Sequence, residues 1–256
     1  MNGTDKQITT DTISLCVLIP TYNNAATLER VLEGALSQCP QLIVVNDGSC
    51  DATGSILERF AGRIHQVSYE KNRGKGYALR RGLEEAARCG FTHVVTLDSD
   101  GQHFPEDIPQ FMAAVQQHPE ALMVGSRDLQ AENMPGGNSF ANRFSNFWFH
   151  LQTGVRLPDT QTGYRLYPMK NLPSLRCLGH RYGAELMLLV RAAWKQVPLL
   201  PVPVRVYYPP AGERVSHFRP FADFFRISLL NACLTIAAFL WVWPVKLLRR
   251  MGGRHD

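Results

Sequence analysis

Asp98 and Asp100, in Asp98-Ser99-Asp100-Gly101-Gln102-His103, are the residues of this 256-residue chain whose spacing most directly suggests chemistry. If the chain stays extended after a strand, both carboxylates point to one side, and two like charges that close call for a cation between them. Hard oxygen ligands of this kind suit Mg²⁺ or Mn²⁺, which combine carboxylates with substrate phosphates and neutralise a departing diphosphate. The Asp-x-Asp spacing alone does not separate such a pair from two turn carboxylates. Its surroundings add to it: in Asn46-Asp47-Gly48-Ser49 a carboxylate can accept hydrogen bonds from a base or ribose. Arg73 and Lys75 stand in a glycine-bounded loop, Asn72-Arg73-Gly74-Lys75-Gly76, at a helix start that favours an anion. The loop lacks the Gly-x-x-x-x-Gly-Lys-Ser/Thr pattern of a P-loop.

Each of these motifs follows an apolar run. Strands are predicted at Ile13–Ile19, Leu42–Val45, Ile64–Val67, His93–Leu97 and Leu122–Val124, alternating with segments of helical period. One helical stripe carries Leu28, Val31, Leu32, Ala35 and Leu36; later ones carry Leu79, Leu83 and Ala86, then Ile108, Phe111, Met112 and Val115. Continuous rather than alternating apolar strands argue for a parallel sheet covered on both faces, an α/β fold whose ligand crevice lies beyond the strands' carboxyl ends. Four such ends are polar, including Pro20-Thr21-Tyr22-Asn23-Asn24 after the first strand. Singly, each has the simpler reading of a turn or helix cap, with Ser49 or Asp51 as the cap of the second helix. Together on one sheet edge they favour a site. Further on, a helix is expected over Phe140–Leu151, a loop at Asp159-Thr160-Gln161-Thr162-Gly163-Tyr164-Arg165, a helix near Glu185–Ala193 and a short strand at Val202–Tyr207.

On these stretches, together with Val17-Leu18-Ile19-Pro20 and Gly125-Ser126-Arg127, the sequence resembles the family 2 glycosyltransferases, in the branch of dolichyl-phosphate mannose or glucose synthases. The resemblance runs from about Ser14 to Phe225. It implies a GT-A (Rossmann-like) fold with a mostly parallel sheet, helices on both faces, and inverting sugar transfer from a UDP- or GDP-linked donor. It further implies that Pro20, Tyr22 and Asp47 contact the nucleoside and that Asp98, Asp100 and Gln102 hold the metal and diphosphate. Lys75 would flank that diphosphate, with Arg214 and His217 closing over it. Arg127 and Arg143 look like the arginines that grip an acceptor phosphate, while Asp159 and Gln161 would face sugar or acceptor. A phosphate acceptor needs no general base; for a hydroxyl, Asp159 is the candidate. The family often has Glu where Asn24 or Ala25 stands, and the Gln-x-x-Arg-Trp signature of processive synthases is missing near Trp194, which argues against chain polymerisation.

The last fifth of the chain has a different character. Between Ile227 and Val245 no side chain is charged, close to the ~20 residues that cross a bilayer. Ser228, Asn231 and Thr235 dilute the run, and a crossing would export Lys246, Arg249, Arg250 and Arg254 against the positive-inside tendency, so a hairpin or in-plane helix stays open beside a span. Phe218, Phe221, Phe224 and Phe225 among Arg214, Arg219 and Arg226 suit a lipid interface, with a helix packed on the catalytic domain as the alternative. The expected division is therefore a polar tail (1–12), a catalytic domain (13–213) and an interfacial, hydrophobic segment with a basic end (214–256). Net charge of +5 suits anionic lipid or a phosphorylated substrate; no nucleic-acid partner is expected. The six scattered cysteines and a polar amino terminus argue for reduced thiols and a catalytic part on the cytoplasmic face of the cell membrane. Expected partners are the nucleotide sugar, a lipid-linked acceptor and the membrane. The alternatives are transfer to a lipid hydroxyl, or a membrane-associated nucleotide-sugar-binding module without catalysis.

Overall fold

A computed structural model describes residues 12–127, 136–172, 183–208 and 220–245, with the backbone alone for 136–140 and 220–225. Seven strands form one sheet in the order β3-β2-β1-β4-β6-β5-β7. They are β1 (Leu15–Thr21), β2 (Leu42–Asp47), β3 (His65–Tyr69), β4 (His93–Thr96), β5 (Leu122–Arg127), β6 (Arg165–Pro168) and β7 (Leu199–Val204). All pairs are parallel except those of β6, which runs antiparallel between β4 and β5. The mostly parallel sheet expected from continuous apolar runs is thus present, with β6 as the added element. Its Arg165-Leu166-Tyr167-Pro168 is four residues long and buried throughout, too short to leave a period in the sequence.

Helices cover both faces. Beneath one face, α1 (Ala25–Gln38), α2 (Thr53–Arg59) and α4 (Ile108–Gln117) pack Leu28, Leu32, Leu57 and Phe111 against Val17, Ile19 and Val95 of the sheet. Over the other, α3 (Lys75–Arg88), α5 (Gly136–Thr153) and α6 (Gly183–Trp194) set Leu79, Leu83, Phe149 and Leu189 against Leu18, Val45 and Val124. The stripes read in the sequence are buried apart from half-buried Leu36 and Met112. Strand alternation sends odd and even residues of β1 to opposite cores, which is why a parallel strand must be apolar throughout.

The cap of α2 differs in detail from expectation. Ala52 occupies the cap position, while Asp51 spans two helices: its Oδ1 accepts from the Thr53 amide at 3.0 Å and its Oδ2 from the Ala25 amide at 3.0 Å. Ser49 instead accepts from the Asn23 amide at 3.0 Å, tying the ends of β1 and β2.

The last described element, α7 (Pro220–Ala237), continues through a π-helical turn at Ala238–Val242. Its segment Arg226–Val245 is the one helix among the described residues long and apolar enough to cross a membrane, with mean hydropathy 1.7 over its window and only 17% of that window buried.

Candidate active site

The carboxyl ends of β1, β2 and β4 bring three loops together, and the contacts between them are polar. The loop after β3 joins them, and Gly48, at φ +69°, permits its close approach: a Cβ there would lie 2.6 Å from the Asn72 nitrogen. That proximity lets the buried Asp47 carboxylate organise the following loop. Its Oδ1 accepts from the Arg73 amide at 2.7 Å; its Oδ2 accepts from the Gly74 amide at 2.8 Å and from the Asn72 side chain at 3.0 Å. Asp47 therefore sets the start of α3, and with it the place of Lys75.

Lys75 reaches the acidic pair. Its Nζ lies 2.7 and 2.9 Å from the two Asp98 carboxylate oxygens and 3.3 Å from Glu185 Oε2 on α6. Burial works against the ammonium, but Asp98 and Glu185 more than offset it and hold the Lys75 pKa above its ordinary value. After β4 the chain turns at Ser99-Asp100, rather than staying extended, and the turn makes Asp100 and Asp98 electrostatic neighbours. Burial and then the Asp98 charge push the Asp100 carboxyl up to about 6, although its Oδ1 accepts from the Gln102 amide at 3.0 Å. Asp98 itself is lowered: burial opposes its charge, and Lys75 outweighs burial. The turn is held from behind, by Thr27 Oγ1 donating to the Ser99 carbonyl at 2.6 Å and Asn24 Nδ2 to Ser99 Oγ at 2.7 Å.

Opposite stands the loop that precedes β6. A Cβ on Gly163 would fall 2.7 Å from Asp98 Oδ2 and 2.8 Å from Lys75 Nζ, so only glycine lets this loop approach the pair. Arg165, fully buried, fastens the loop through carbonyls: Nε to Thr162 at 2.8 Å, NH2 to Thr160 at 2.9 Å and NH1 to Glu185 at 2.7 Å. The other end of the loop forms a second polar cluster. Arg127, at the end of β5, grips Asp159 with Nε–Oδ2 2.5 Å and NH2–Oδ1 3.0 Å; Asn142 of α5 donates to the same carboxylate at 2.6 Å and the Gln161 amide at 3.0 Å. Burial opposes ionisation of Asp159, and Arg127 overcomes it, so the carboxyl is held below its usual range. Between the clusters lies His103, buried and pushed down to about 4 by desolvation, with Nε2 3.5 Å from Thr162 Oγ1. It is a neutral imidazole at physiological pH.

The anticipated residues thus fall into two groups. Asp98, Asp100, Gln102 and Lys75 converge, with Asp47 supporting them; Arg127, Asp159 and Gln161 form the second group. Pro20 is buried within β1 and Tyr22 is half-buried just past it. Arg143 is exposed on α5, one residue from the inward-facing Asn142. Arg214 and His217 lie outside the described residues, but the segment leading to them is anchored at the site. Tyr207 donates its amide to the Gln102 carbonyl at 2.7 Å, and Asp107 holds Arg205 at 2.8 Å. Arg127 and Arg205 also line a cavity of about 450 Å³ with Ser126 and Pro158; as each arginine already has a carboxylate partner, its wall is not a free cationic surface.

Glu185, Asn142 and Arg165 are the residues that sequence reasoning left unassigned. A signal existed for Glu185: it stands in Gly183-Ala184-Glu185-Leu186-Met187-Leu188-Leu189, a helix apolar enough to be buried, where a carboxylate needs a cation. Asn142 had none.

The donor set fits a divalent metal. It is all oxygen, burial and then the Asp98 charge leave the Asp100 carboxyl resisting ionisation, and Gly163 leaves an open approach. A doubly wound, mostly parallel sheet with an acidic pair past its fourth strand defines the class as a GT-A nucleotide-sugar transferase fold. More narrowly, the chain belongs to glycosyltransferase family 2: the sequence profile described as "Glycosyl transferase family 2" matches residues 16–167. The chain is 30% identical over 174 residues to polyprenol monophosphomannose synthase of Mycolicibacterium smegmatis, covering 64% of this chain and 65% of the relative, just under two thirds of its length. It is 26% identical over 213 residues to the UDP-N-acetylglucosamine–dolichyl-phosphate N-acetylglucosaminyltransferase of Methanococcus voltae, with 75% and 85% covered. Similarity to the undecaprenyl-phosphate mannosyltransferase of Micrococcus luteus, 26% over 207 residues with 77% and 84% covered, supports the same polyprenyl-phosphate branch. In fold the chain matches mannosyl-3-phosphoglycerate synthase of Rubrobacter xylanophilus (TM-score 0.61, 16% identity, 95% of this chain and 76% of that one). It also matches glucosyl-3-phosphoglycerate synthase of Mycobacterium tuberculosis (TM-score 0.56, 19% identity, 89% and 79% covered), a structure holding Mn²⁺, UDP-glucose and phosphoglyceric acid.

Proposed function

We propose that this protein transfers a sugar, with inversion, from a UDP- or GDP-linked donor to a polyprenyl phosphate at the cytoplasmic face of the cell membrane. The observation that carries the reading is the pairing of two subsites by one loop. Residues 159–165 begin at the Arg127–Asp159 cluster and pass Asp98 and Lys75 at Gly163. The second is suited to a donor diphosphate; the first, where Arg127 is already paired with Asp159, is the candidate acceptor end by resemblance to the family and by its place on the same loop. Names of three relatives point to the same acceptor class.

In this scheme Asp98, Asp100 and Gln102 would hold the Mg²⁺ or Mn²⁺, which when bound supplies positive charge to the leaving diphosphate. Lys75 donates a hydrogen bond to that diphosphate, and Tyr22 and Pro20 flank the nucleoside. Asp47 acts through the loop it fixes. An acceptor phosphate oxygen, already anionic, bonds to the anomeric carbon on the side opposite the departing oxygen, so the configuration inverts and no proton needs removing. Arg127 orients that phosphate, with Gln161 beside it and Arg143 nearby; Arg214 and His217 would close over the donor. Domain limits follow the same division, 13–213 for catalysis and 214–256 for the membrane.

Transfer to a lipid hydroxyl is the second reading. It would assign Asp159 as general base, a role that its low pKa and bidentate tie to Arg127 disfavour. The deciding experiment incubates the protein with a panel of UDP- and GDP-sugars, Mn²⁺ or Mg²⁺, and vesicles holding polyprenyl phosphate. Nucleotide diphosphate release with a butanol-extractable, mild-acid-labile product is expected. An acid-stable product would favour the glycoside, and nucleotide-sugar affinity without turnover would favour a binding module.

A further inference from the structure

Helix α5 buries Phe149 in the core but, unlike α1, α3 and α4, also sets a polar side inward and an aromatic side outward. Its inward side is polar where it meets the acceptor loop. Asn142 donates to Asp159 Oδ1 at 2.6 Å, Ser145 Oγ lies 2.8 Å from Thr160 Oγ1, and Asn146 donates to the Pro158 carbonyl at 2.7 Å while accepting from the Thr160 amide at 3.0 Å. Its outward side is aromatic. Phe144 is 38% and Phe147 59% exposed, and both stack edge-on against half-buried Trp148, with centroids 6.0 and 5.7 Å away. Residues three and four apart share one helix face, so these rings form a single patch. A helix in water sends such residues inward; a patch rimmed by polar groups marks a surface that something covers.

Continuity indicates what covers it. The carboxyl-terminal half of α5 packs on the apolar helix: Gln152 Nε2 donates to Asn231 Oδ1 at 2.9 Å and to Thr235 Oγ1 at 3.3 Å, and a Cβ on Gly154 would touch the Trp243 ring at 3.2 Å. That helix carries most of the other exposed large apolar side chains among the described residues, among them Phe239 at 54%, Leu240 at 74% and Trp241 at 76%. We propose that the Phe144–Phe147–Trp148 face of α5 lies against the lipid surface beside the carboxyl-terminal helix. One rod then joins bilayer and acceptor cluster, so that inward-facing Asn142 and Asp159 sit at headgroup depth. The consequence for turnover rests on the lipid-acceptor reading; the membrane contact does not.

The test places a photoreactive benzoylphenylalanine at Phe147, at Leu240 or at Gln117 of the full chain, bound to anionic phospholipid vesicles. Gln117 is exposed on α4, on the opposite side of the sheet. Lipid adducts are expected at 147 and 240 and not at 117. A probe at 147 that captures a second copy of the chain, or nothing, while 240 labels lipid overturns the proposal; so does failure of both to label lipid. In a parallel assay Phe144→Ser/Phe147→Ser is expected to raise KM for vesicle-borne polyprenyl phosphate about tenfold, with kcat/KM for a short water-soluble acceptor unchanged. Equal loss on both acceptors overturns the positioning role. Lipid adducts without turnover on any polyprenyl phosphate would instead sink the acceptor assignment and leave the membrane contact standing.

Discussion

The two ends of the site solve the problem of buried charge differently. Around Lys75, Asp98 and Glu185 share a single ammonium with Asp100 nearby, and burial, then the Asp98 charge, leave an Asp100 carboxyl that resists ionisation. Around Asp159, one carboxylate meets one guanidinium in bidentate geometry, and two further donors, Asn142 and the Gln161 amide, go to the same oxygen, Oδ1. The first arrangement asks for a cation from outside; the second is complete as it stands. A buried ion pair broken on one side costs far more than the same pair removed whole. Function should therefore be sensitive to substitution of Asp100 while stability is not, and breaking the Arg127–Asp159 pair should cost both.

Asp100→Asn tests the first half most severely. Turnover should fall by at least about 10²–10³-fold, since it takes a ligand from the charge that balances the leaving group. Melting temperature should hold or rise, because like-charge crowding is relieved. A lower melting temperature at unchanged activity would reverse the comparison. Asp159→Asn should instead lower folding stability by about 3–5 kcal/mol, as Arg127 loses its anion, with acceptor KM rising in parallel. Denaturant titration checks this, and the double change Arg127→Met/Asp159→Leu should recover part of the stability without recovering activity.

Proton linkage sharpens the contrast. Asp100 has its pKa raised to about 6, so the folded apo protein holds a proton there that the unfolded chain releases nearer pH 4. Stability of the apo protein should accordingly decline as pH rises through that window, and saturating Mn²⁺ should remove the decline. Mn²⁺ affinity should drop by up to about tenfold per pH unit below 6, measurable by calorimetry. Asp159 is shifted the opposite way, so its contribution persists to lower pH and is lost only as pH falls through its depressed pKa. The smallest expected effect is that of Glu185→Gln. Lys75 keeps Asp98 but loses its second anion, and metal should compete less well for Asp98, by roughly threefold to tenfold in affinity.

Much of the donor end was legible from residue order. Asp98, Asp100 and Lys75 follow apolar runs, and a parallel sheet delivers residues after its strands to one edge whatever the loops do. The pairing of Lys75 with Asp98 was not written there, since it depends on Asp47 capturing the Arg73 and Gly74 amides and the Asn72 side chain beneath Gly48. At the acceptor end Arg127 and Asp159 could be named by resemblance, but the reason they matter to each other could not. They stand 32 positions apart, and the antiparallel β6 that seats the loop is too short to show a period.

Local sequence by itself determined the first five strands, the helix stripes, the polar strand ends and the apolar final helix, because each is set by side-chain period and backbone preference over a few residues; it missed β6 and placed β7 three residues late. Only tertiary structure decided which charges meet. It turned Glu185 toward Lys75, buried Arg165 among carbonyls, and faced the polar side of α5 inward with its aromatic side out. Charge partners across tens of residues are chosen by how elements pack, since electrostatic energy depends on distance and burial and neither is encoded in position along the chain.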